Sequence, residues 1–198
     1  SRKEIADSAT LAAIDGGMVY PGSCRTGLPV GRMARAWRLR VDASEIAFDD
    51  RLQGHIAQVL ERDVGDFVLL RADGLFAYQL AVVVDDAWQG ITDIVRGADL
   101  LASTPRQIWL QRCLGYATPT YAHLPVATNA AGEKLSKQTR AAPLNVADAV
   151  GELGAALHFL GQPVSAGLAA ASVREVWTWA LANWSFSAVP RQRGIVIP

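Results

Sequence analysis

Two strand-like segments with a helix between them constrain the fold of this chain more than any other feature. The first segment is "GITDIVRG" (90–97), the helix lies in "STPRQIWLQRCLG" (103–115), and the second segment is "YAHLPVATN" (121–129). Thr104 and Gln107 have the spacing of a capping box at the helix start. A strand, a helix and a second strand in this order are typical of a parallel sheet of the doubly wound kind. The chain is therefore predicted to have an α/β fold.

Further strands are predicted between residues 36 and 84. "AWRLRV" alternates apolar and basic side chains with the period of a strand that has one solvated face. The Asp73-Gly74 pair lies between two apolar runs and predicts a hairpin. Because the second run, Leu75 to Val84, is apolar nearly throughout, it is predicted to be a strand buried on both faces.

Helical periodicity is found near both ends of the chain. Helices are predicted over Glu4–Ile14, from Asn145 to Gly161, and from Ser172 onwards, where a second capping box begins. In the last helix Trp177 and Trp184 fall on the apolar stripe and are predicted to lie in the core.

The composition is that of a globular protein, with 51% hydrophobic and 19% charged residues. Nineteen basic residues balance nineteen acidic ones, so the total charge gives no reason to expect a nucleic-acid partner. No apolar run reaches the roughly 18 residues that cross a bilayer. Cys24 and Cys113 are too few for a disulfide framework, which indicates a reducing compartment such as the cytoplasm. Cys113 shares a face with apolar residues of its helix and is predicted to be a buried thiol.

A local cluster of positive charge leaves two interpretations open. Five arginines follow one another with no acidic residue between them: Arg25, Arg32, Arg35, Arg38 and Arg40. They are either contacts for RNA phosphates or the solvated face of a strand.

Three cationic side chains follow predicted strands. Arg96 comes at the end of "GITDIVRG", and Lys134 and Lys137 lie on a loop after "YAHLPVATN". Ligands of doubly wound folds bind beyond the carboxyl ends of parallel strands. A guanidinium matches a carboxylate with two hydrogen bonds, and a lysine ammonium suits the charge of a polyphosphate. His123 is expected to have a structural role, with orientation of the loop as the alternative.

The loop "KLSKQ" resembles the KMSKS signature of class I aminoacyl-tRNA synthetases, and from Asp66 to Leu144 the chain resembles the glutamyl branch of that class. The continuation "KLSKQTRA", with only 60 residues after Gln138, resembles the glutamyl-queuosine tRNA(Asp) synthetase family. The resemblance implies that glutamate is activated with ATP and Mg²⁺ and then attached to queuosine in tRNA(Asp). The alternatives are a fragment of a discriminating glutamyl-tRNA synthetase and a non-catalytic tRNA-binding paralogue.

The same resemblance assigns the site residues. Tyr78 and Arg96 match the residues that bind glutamate in the family. Lys134 and Lys137 match the catalytic lysines of the ATP loop, and with Ser136 they are the expected ATP-binding residues.

The resemblance also implies part of a zinc site. The family carries a Cys-x-Cys pair and then a Tyr and a Cys in the pattern Y-x3-C, which "YPGSC" supplies here as Tyr20 and Cys24. The Cys-x-Cys pair is expected directly before Ser1, so the zinc site is expected to be incomplete in this chain.

The resemblance covers about the last two-thirds of the family's length. It implies the second half of a class I synthetase Rossmann-like catalytic domain over 66–144. An inserted zinc and acceptor-type subdomain is expected over 1–65 and a C-terminal helical subdomain over 145–198. Because the HIGH-like motif precedes this region in the family, the chain alone is expected to be inactive. The enzyme is expected to be a monomer in the cytoplasm.

Overall fold

The computed structural model describes residues 18–137 and 139–197. The helix predicted over Glu4–Ile14 lies outside the described residues. Among the helices that the structure describes, none has the length and hydropathy needed to span a membrane. The chain divides into two compact units.

The first unit takes in the described residues up to Val95 and Leu100–Ala122. The elements from residue 37 to residue 124 are, in chain order, β1 (Trp37–Leu39), β2 (Glu45–Asp50), β3 (Gly54–Val59), α1 (Leu60–Asp63), β4 (Phe67–Leu70), α2 (Tyr78–Gln89), β5 (Asp93–Gly97), α3 (Thr104–Leu114) and β6 (Thr120–Leu124). Strands β5 and β6 begin in the first unit, and their last residues are the first residues of the second unit.

The main sheet has the strand order β3-β2-β6-β5. Strands β5 and β6 are neighbours, and α3 lies between them in the sequence, which confirms the predicted strand–helix–strand unit. Strand β6 pairs with β2 in parallel, and β2 forms an antiparallel hairpin with β3. The sheet is therefore mixed. Strands β1 and β4 form a separate antiparallel pair, which confirms the strand predicted from "AWRLRV".

The core of the first unit consists of apolar side chains from strands β2, β4 and β6, from α1 and α3, and from the segments next to them. These are Val41, Ile46, Leu60, Val64, Phe67, Ile108 and Tyr121. Helix α3 also buries two amide side chains, and each has a hydrogen-bond partner. Gln107 donates to Gln79 Oε1 at 2.9 Å, and Gln111 donates to the Tyr121 hydroxyl at 3.1 Å. Partners of this kind offset the cost of burying polar groups. The Oε1 atom of Gln111, by contrast, is buried without a hydrogen-bond partner among the described residues.

The predicted strand from Leu75 to Val84 is wrong, because residues from Tyr78 onwards form the helix α2. The turn itself is confirmed: Gly74 has a φ of 81°, and the backbone N–H of Arg71 donates to the Leu75 carbonyl at 2.9 Å. The returning strand is limited to a single bridge between Leu70 and Phe76. An apolar run without alternation fits a strand and a helix equally well, and only its length distinguishes them.

Two predictions about α3 are also wrong. The helix begins at Thr104 after Ser103, and no side chain caps its amino end. The Gln107 side chain, which was expected to complete a capping box, contacts Gln79 instead. Cys113 is exposed, not buried.

The second unit takes in Arg96–Asp99 and the described residues from His123 onwards. Its further elements are β7 (Val126–Thr128), α4 (Ala149–Phe159), α5 (Val173–Asn183) and β8 (Gly194–Val196). Strand β7 pairs in parallel with β8. The single strand predicted over 121–129 is therefore two strands, β6 and β7, separated by Pro125, which has no N–H to donate to a ladder.

Helices α4 and α5 pack through Leu157, Val176 and Ala180. The capping box predicted at Ser172 is confirmed, since its backbone N–H donates to the carboxylate of Glu175 at 2.7 Å and its side chain accepts from the Glu175 N–H. The prediction that Trp177 and Trp184 are core residues is wrong: they are 53% and 43% exposed.

Candidate active site

Arg96 and His123 form a pair in the second unit. Arg96 is the second-last residue of strand β5, and His123 lies near the end of β6 and is fully buried. The guanidinium Nε of Arg96 donates a hydrogen bond to Nε2 of His123 over 3.0 Å. Adjacent strands of one sheet thus bring together two side chains that are 27 residues apart in the sequence.

Asp99 joins the segment after β5 to the lysine loop. The Lys134 ammonium lies 2.5 Å from Oδ2 of Asp99, and both side chains are partly exposed. Gly97 allows the Asp99 carboxylate to lie close to the backbone, because a Cβ at this position would collide with Asp99 Oδ1 and lie 3.0 Å from the Val126 side chain. Arg96 and Asp99 belong to one short segment, so the guanidinium and the lysine loop are anchored to the same stretch of chain.

The first half of the lysine loop is a hydrogen-bonded turn. Thr128 and Lys134 form an antiparallel bridge, and the Leu135 N–H donates to the Ala127 carbonyl at 2.8 Å. At the tip, the Asn129 side chain accepts from the Glu133 N–H at 2.9 Å. The backbone at Lys134 therefore returns alongside the end of strand β7 in a fixed position.

The second half of the loop is closed by Thr139. Its hydroxyl accepts from the Ser136 N–H at 2.8 Å and lies within 3.1 Å of the carbonyl oxygens of Lys134 and Ser136. The loop encloses an open cleft of about 590 Å³, lined by Glu133, Lys134, Ser136, Lys137 and Thr139. Both lysines of "KLSKQ" and its serine thus line one open cleft.

Tyr78, the other residue assigned to glutamate, lies in the first unit. It is the first residue of helix α2 and is 50% exposed. The structure therefore places Arg96 and the lysine loop in one unit and Tyr78 in the other.

Tyr20 and Cys24 lie together in the first unit. The Tyr20 ring is buried, and its hydroxyl accepts a hydrogen bond from the Cys24 N–H at 3.0 Å. Burial, followed by the hydrogen bond with the Cys24 side chain, raises the pKa of the Tyr20 hydroxyl. Gly65 allows the close approach, because a Cβ there would lie 2.5 Å from the Tyr20 carbonyl oxygen. Nowhere in the described part of the chain do three or more His, Cys, Asp or Glu side chains meet. The structure thus brings Tyr20 and Cys24 together, and the zinc site is not confirmed.

Arg25 and Arg38 of the arginine cluster contact other residues of the first unit. Arg25 donates to both carboxylate oxygens of Asp66, at 2.8 and 2.7 Å, and also to Glu61. Arg38 lies over the Tyr20 ring at 4.1 Å and donates to the Asp66 carbonyl oxygen. These two arginines organise the turn that carries Tyr20 and Cys24.

Three residues of the candidate site are not identified by the sequence: Asp99, His123 as a partner of Arg96, and Thr139. Asp99 follows Arg96 by three positions, and His123 precedes the loop on a predicted strand. For these two residues the position next to a strand end was the available signal, but neither spacing says which side chain each one contacts. Thr139 directly follows "KLSKQ", and nothing in the sequence indicates that its hydroxyl closes the loop.

Comparison with known proteins identifies the family. The family model of tRNA synthetases class I (E and Q), catalytic domain, matches residues 33–164. The chain is 73% identical over 198 residues to a glutamyl-Q tRNA(Asp) synthetase of Dechloromonas aromatica, which covers 100% of this chain and 66% of that protein. It is 60% identical over 192 residues to a protein of the same name from Aromatoleum aromaticum, covering 97% of this chain and 60% of the relative. The chain thus spans less than two thirds of the length of these curated relatives.

Solved structures agree on the fold. The crystal structure of glutamate-tRNA synthetase from Elizabethkingia anophelis superposes with a TM-score of 0.67 and 20% identity, over 100% of this chain and 45% of that one. The architecture is the mixed α/β one of a class I synthetase catalytic domain. The chain belongs to the family of class I tRNA synthetases for glutamate and glutamine (E and Q), within their catalytic domain.

Proposed function

We propose that this chain, within the complete protein, takes part in the ATP-dependent activation of glutamate and its transfer to the queuosine of tRNA(Asp). The observation that carries the proposal is that Arg96 and the lysine loop belong to one unit and meet through the Asp99–Lys134 pair. The substrate is suggested by the names of the relatives, which are glutamyl-Q tRNA(Asp) synthetases at 73% and 60% identity.

Glutamate recognition is assigned to Arg96 and Tyr78. A guanidinium has only donors, so Arg96 favours a carboxylate over the amide of glutamine. Two parallel hydrogen bonds from its planar fork would fix the direction of the substrate as well as its charge. The exposed Tyr78 hydroxyl can donate to a further polar group of the amino acid.

Activation is assigned to the lysine loop. An oxygen of the glutamate α-carboxylate attacks the α-phosphorus of ATP, the bond to the bridging oxygen breaks, and pyrophosphate leaves. The ammonium groups of Lys134 and Lys137 would offset the negative charge that moves onto the departing phosphates, and Ser136 would bind ATP beside them. Mg²⁺ enters with ATP and neutralises part of the phosphate charge. A hydroxyl of the queuosine cyclopentenediol then attacks the acyl carbon, and AMP leaves.

The zinc site, the three-part domain division, the monomeric state and the cytoplasmic location stay predictions. For zinc, Tyr20 and Cys24 would supply two ligands, and a Cys-x-Cys pair of the complete protein the other two. Metal analysis of that protein tests this: one zinc per chain, reduced in Cys24→Ala but not in Cys113→Ala, is the expected result. Equal zinc content in both variants would contradict it.

The function is tested with the complete gene product, labelled glutamate and ATP. The acceptors are tRNA(Asp) with queuosine, tRNA(Asp) without it, and tRNA(Glu). Label only on the queuosine-bearing tRNA(Asp) is the expected result. Label on tRNA(Glu) would indicate an ordinary glutamyl-tRNA synthetase, and no label on any acceptor would favour the non-catalytic tRNA-binding alternative.

Two matched variants link the activity to the site. Arg96→Gln removes the guanidinium assigned to glutamate, while Arg112→Gln removes an exposed guanidinium at the end of α3. The first is expected to lower glutamate-dependent ATP–pyrophosphate exchange at least about a hundredfold, because a charge-assisted bidentate contact is lost. The second is expected to leave exchange unchanged.

A further inference from the structure

The fully buried His123 contacts the one guanidinium that is assigned to the substrate. Its Nε2 accepts the hydrogen bond from Nε of Arg96 at 3.0 Å. We infer that His123 is a positioning residue that fixes the orientation of the Arg96 guanidinium for the glutamate carboxylate. This inference rests on the proposed function, which assigns glutamate binding to Arg96.

The contact determines the protonation of the imidazole. A guanidinium has donors and no acceptor, so the nitrogen that faces it must present a lone pair. His123 is therefore neutral, with its single proton on Nδ1. A neutral ring agrees with complete burial, because burial disfavours the charged form.

The contact also selects one edge of the guanidinium. A guanidinium can bind a carboxylate bidentately through Nε and one Nη, or through its two Nη atoms. Because Nε–H of Arg96 points at His123, the edge that contains Nε is already occupied on one atom. A carboxylate is therefore not expected to bind through Nε and one Nη.

Rigid support of this kind matters for specificity. A long arginine side chain has several rotatable bonds, and orienting it in advance reduces the entropy that binding must supply. A misaligned guanidinium would still attract negative charge but would lose one of its two parallel hydrogen bonds. Glutamate affinity, and with it the preference over glutamine, would fall, while ATP contacts would stay the same.

The test compares three substitutions of His123 in the complete gene product. His123→Gln places an amide oxygen near the position of Nε2 and keeps an acceptor. His123→Asn keeps an acceptor that is too short to reach Arg96, and His123→Leu removes the acceptor. Glutamate-dependent ATP–pyrophosphate exchange gives the KM for glutamate and for ATP, with glutamine as the competing substrate.

The Leu and Asn variants are expected to raise the KM for glutamate about 10- to 100-fold, the loss of one hydrogen bond to a charged group. Their KM for ATP should stay within about twofold, and the Gln variant should stay within about threefold of the unaltered protein for both substrates. The preference for glutamate over glutamine should fall in the Leu and Asn variants alone.

Gln162→Leu is the matched control for a purely structural loss. Gln162 is buried in the same unit and hydrogen-bonds the backbone of Leu160 and Ser185. The Gln162→Leu substitution should lower the unfolding temperature of the protein without changing its KM for glutamate. The positioning role alone would be overturned if His123→Leu left the KM for glutamate unchanged, or raised the KM for glutamate and the KM for ATP equally. It would also be overturned if His123→Gln raised the KM for glutamate as much as His123→Leu does. If the unaltered protein shows no glutamate-dependent exchange, the proposed function fails, and the positioning role fails with it.

Discussion

Replacing Asp66 by Asn is expected to destabilise the protein by about 3 kcal/mol, because Asp66 is a buried carboxylate held by three donors. It is 4% exposed and accepts from Arg25 Nε at 2.8 Å, from Arg25 Nη2 at 2.7 Å and from the Val41 N–H at 3.0 Å. An asparagine amide offers one acceptor oxygen, and its NH₂ group would face one of these donors. Breaking a buried pair costs about 3–5 kcal/mol, and Arg25 keeps its contacts with Glu61 and the Val41 carbonyl, which favours the lower end.

The loss of stability is expected to depend on pH. Burial, the largest single effect, raises the pKa of Asp66, but hydrogen bonds from Arg25 and Val41 and the charges of Arg25 and Arg40 together outweigh it and lower the pKa. A carboxyl with a lowered folded-state pKa stabilises the protein above its unfolded pKa of about 3.9, and this contribution is lost as the pH falls through the folded-state value. The difference in the free energy of unfolding between the unaltered protein and Asp66→Asn should therefore be largest near neutral pH and shrink below about pH 4.

Urea unfolding of the complete gene product, followed by tryptophan fluorescence at about pH 7 and near pH 3, measures this difference. Asp73→Asn is the matched control, because its ion pair with Arg71 is exposed on both sides. That substitution should cost less than about 1 kcal/mol. Equal losses in the two variants, or a loss for Asp66→Asn that grows towards acid pH, would refute the reasoning.

Substitutions at three further positions test the lysine loop and the Tyr20 turn. Asp99→Asn should lower the KM for ATP about two- to fivefold in pyrophosphate exchange, because the half-exposed pair no longer competes for the Lys134 ammonium; an unchanged or higher KM contradicts this. Thr139→Ala should raise the KM for ATP several-fold and Thr139→Ser should restore it, since the hydroxyl closes the loop; failure of the serine variant to restore the KM refutes the role of the hydroxyl. Gly65→Ala should cost at least about 2 kcal/mol in urea unfolding, because its φ is +74° and a Cβ would meet the Tyr20 backbone; a neutral effect would show that the turn can rearrange.

Local signals in the sequence predicted several elements correctly. The turn at Asp73-Gly74, the capping box at Ser172 and the strand–helix–strand unit from residue 90 to residue 124 are all present. Each depends on residues close together in the chain, so the sequence contains the whole signal. The "KLSKQ" loop could likewise be located from the sequence, while the roles assigned to Lys134 and Lys137 stay predictions.

Several of the errors concern burial, which local patterns do not determine. Leu75 to Val84 was predicted as a buried strand, yet its residues from Tyr78 onwards belong to helix α2. Trp177 and Cys113 lie on apolar stripes of their helices but are exposed. A stripe shows which residues share a face, whereas burial depends on whether another part of the protein covers that face.

The sequence by itself determined the residue types of the candidate site and the strands and loops that carry them. Only the tertiary structure decided their partners. Arg96 meets His123 across 27 residues, Lys134 meets Asp99 across 35, and Arg25 meets Asp66 across 41. Such contacts form where separate segments pack side by side, because hydrogen bonds and ion pairs depend on distances of a few ångströms in space and not on separation along the chain.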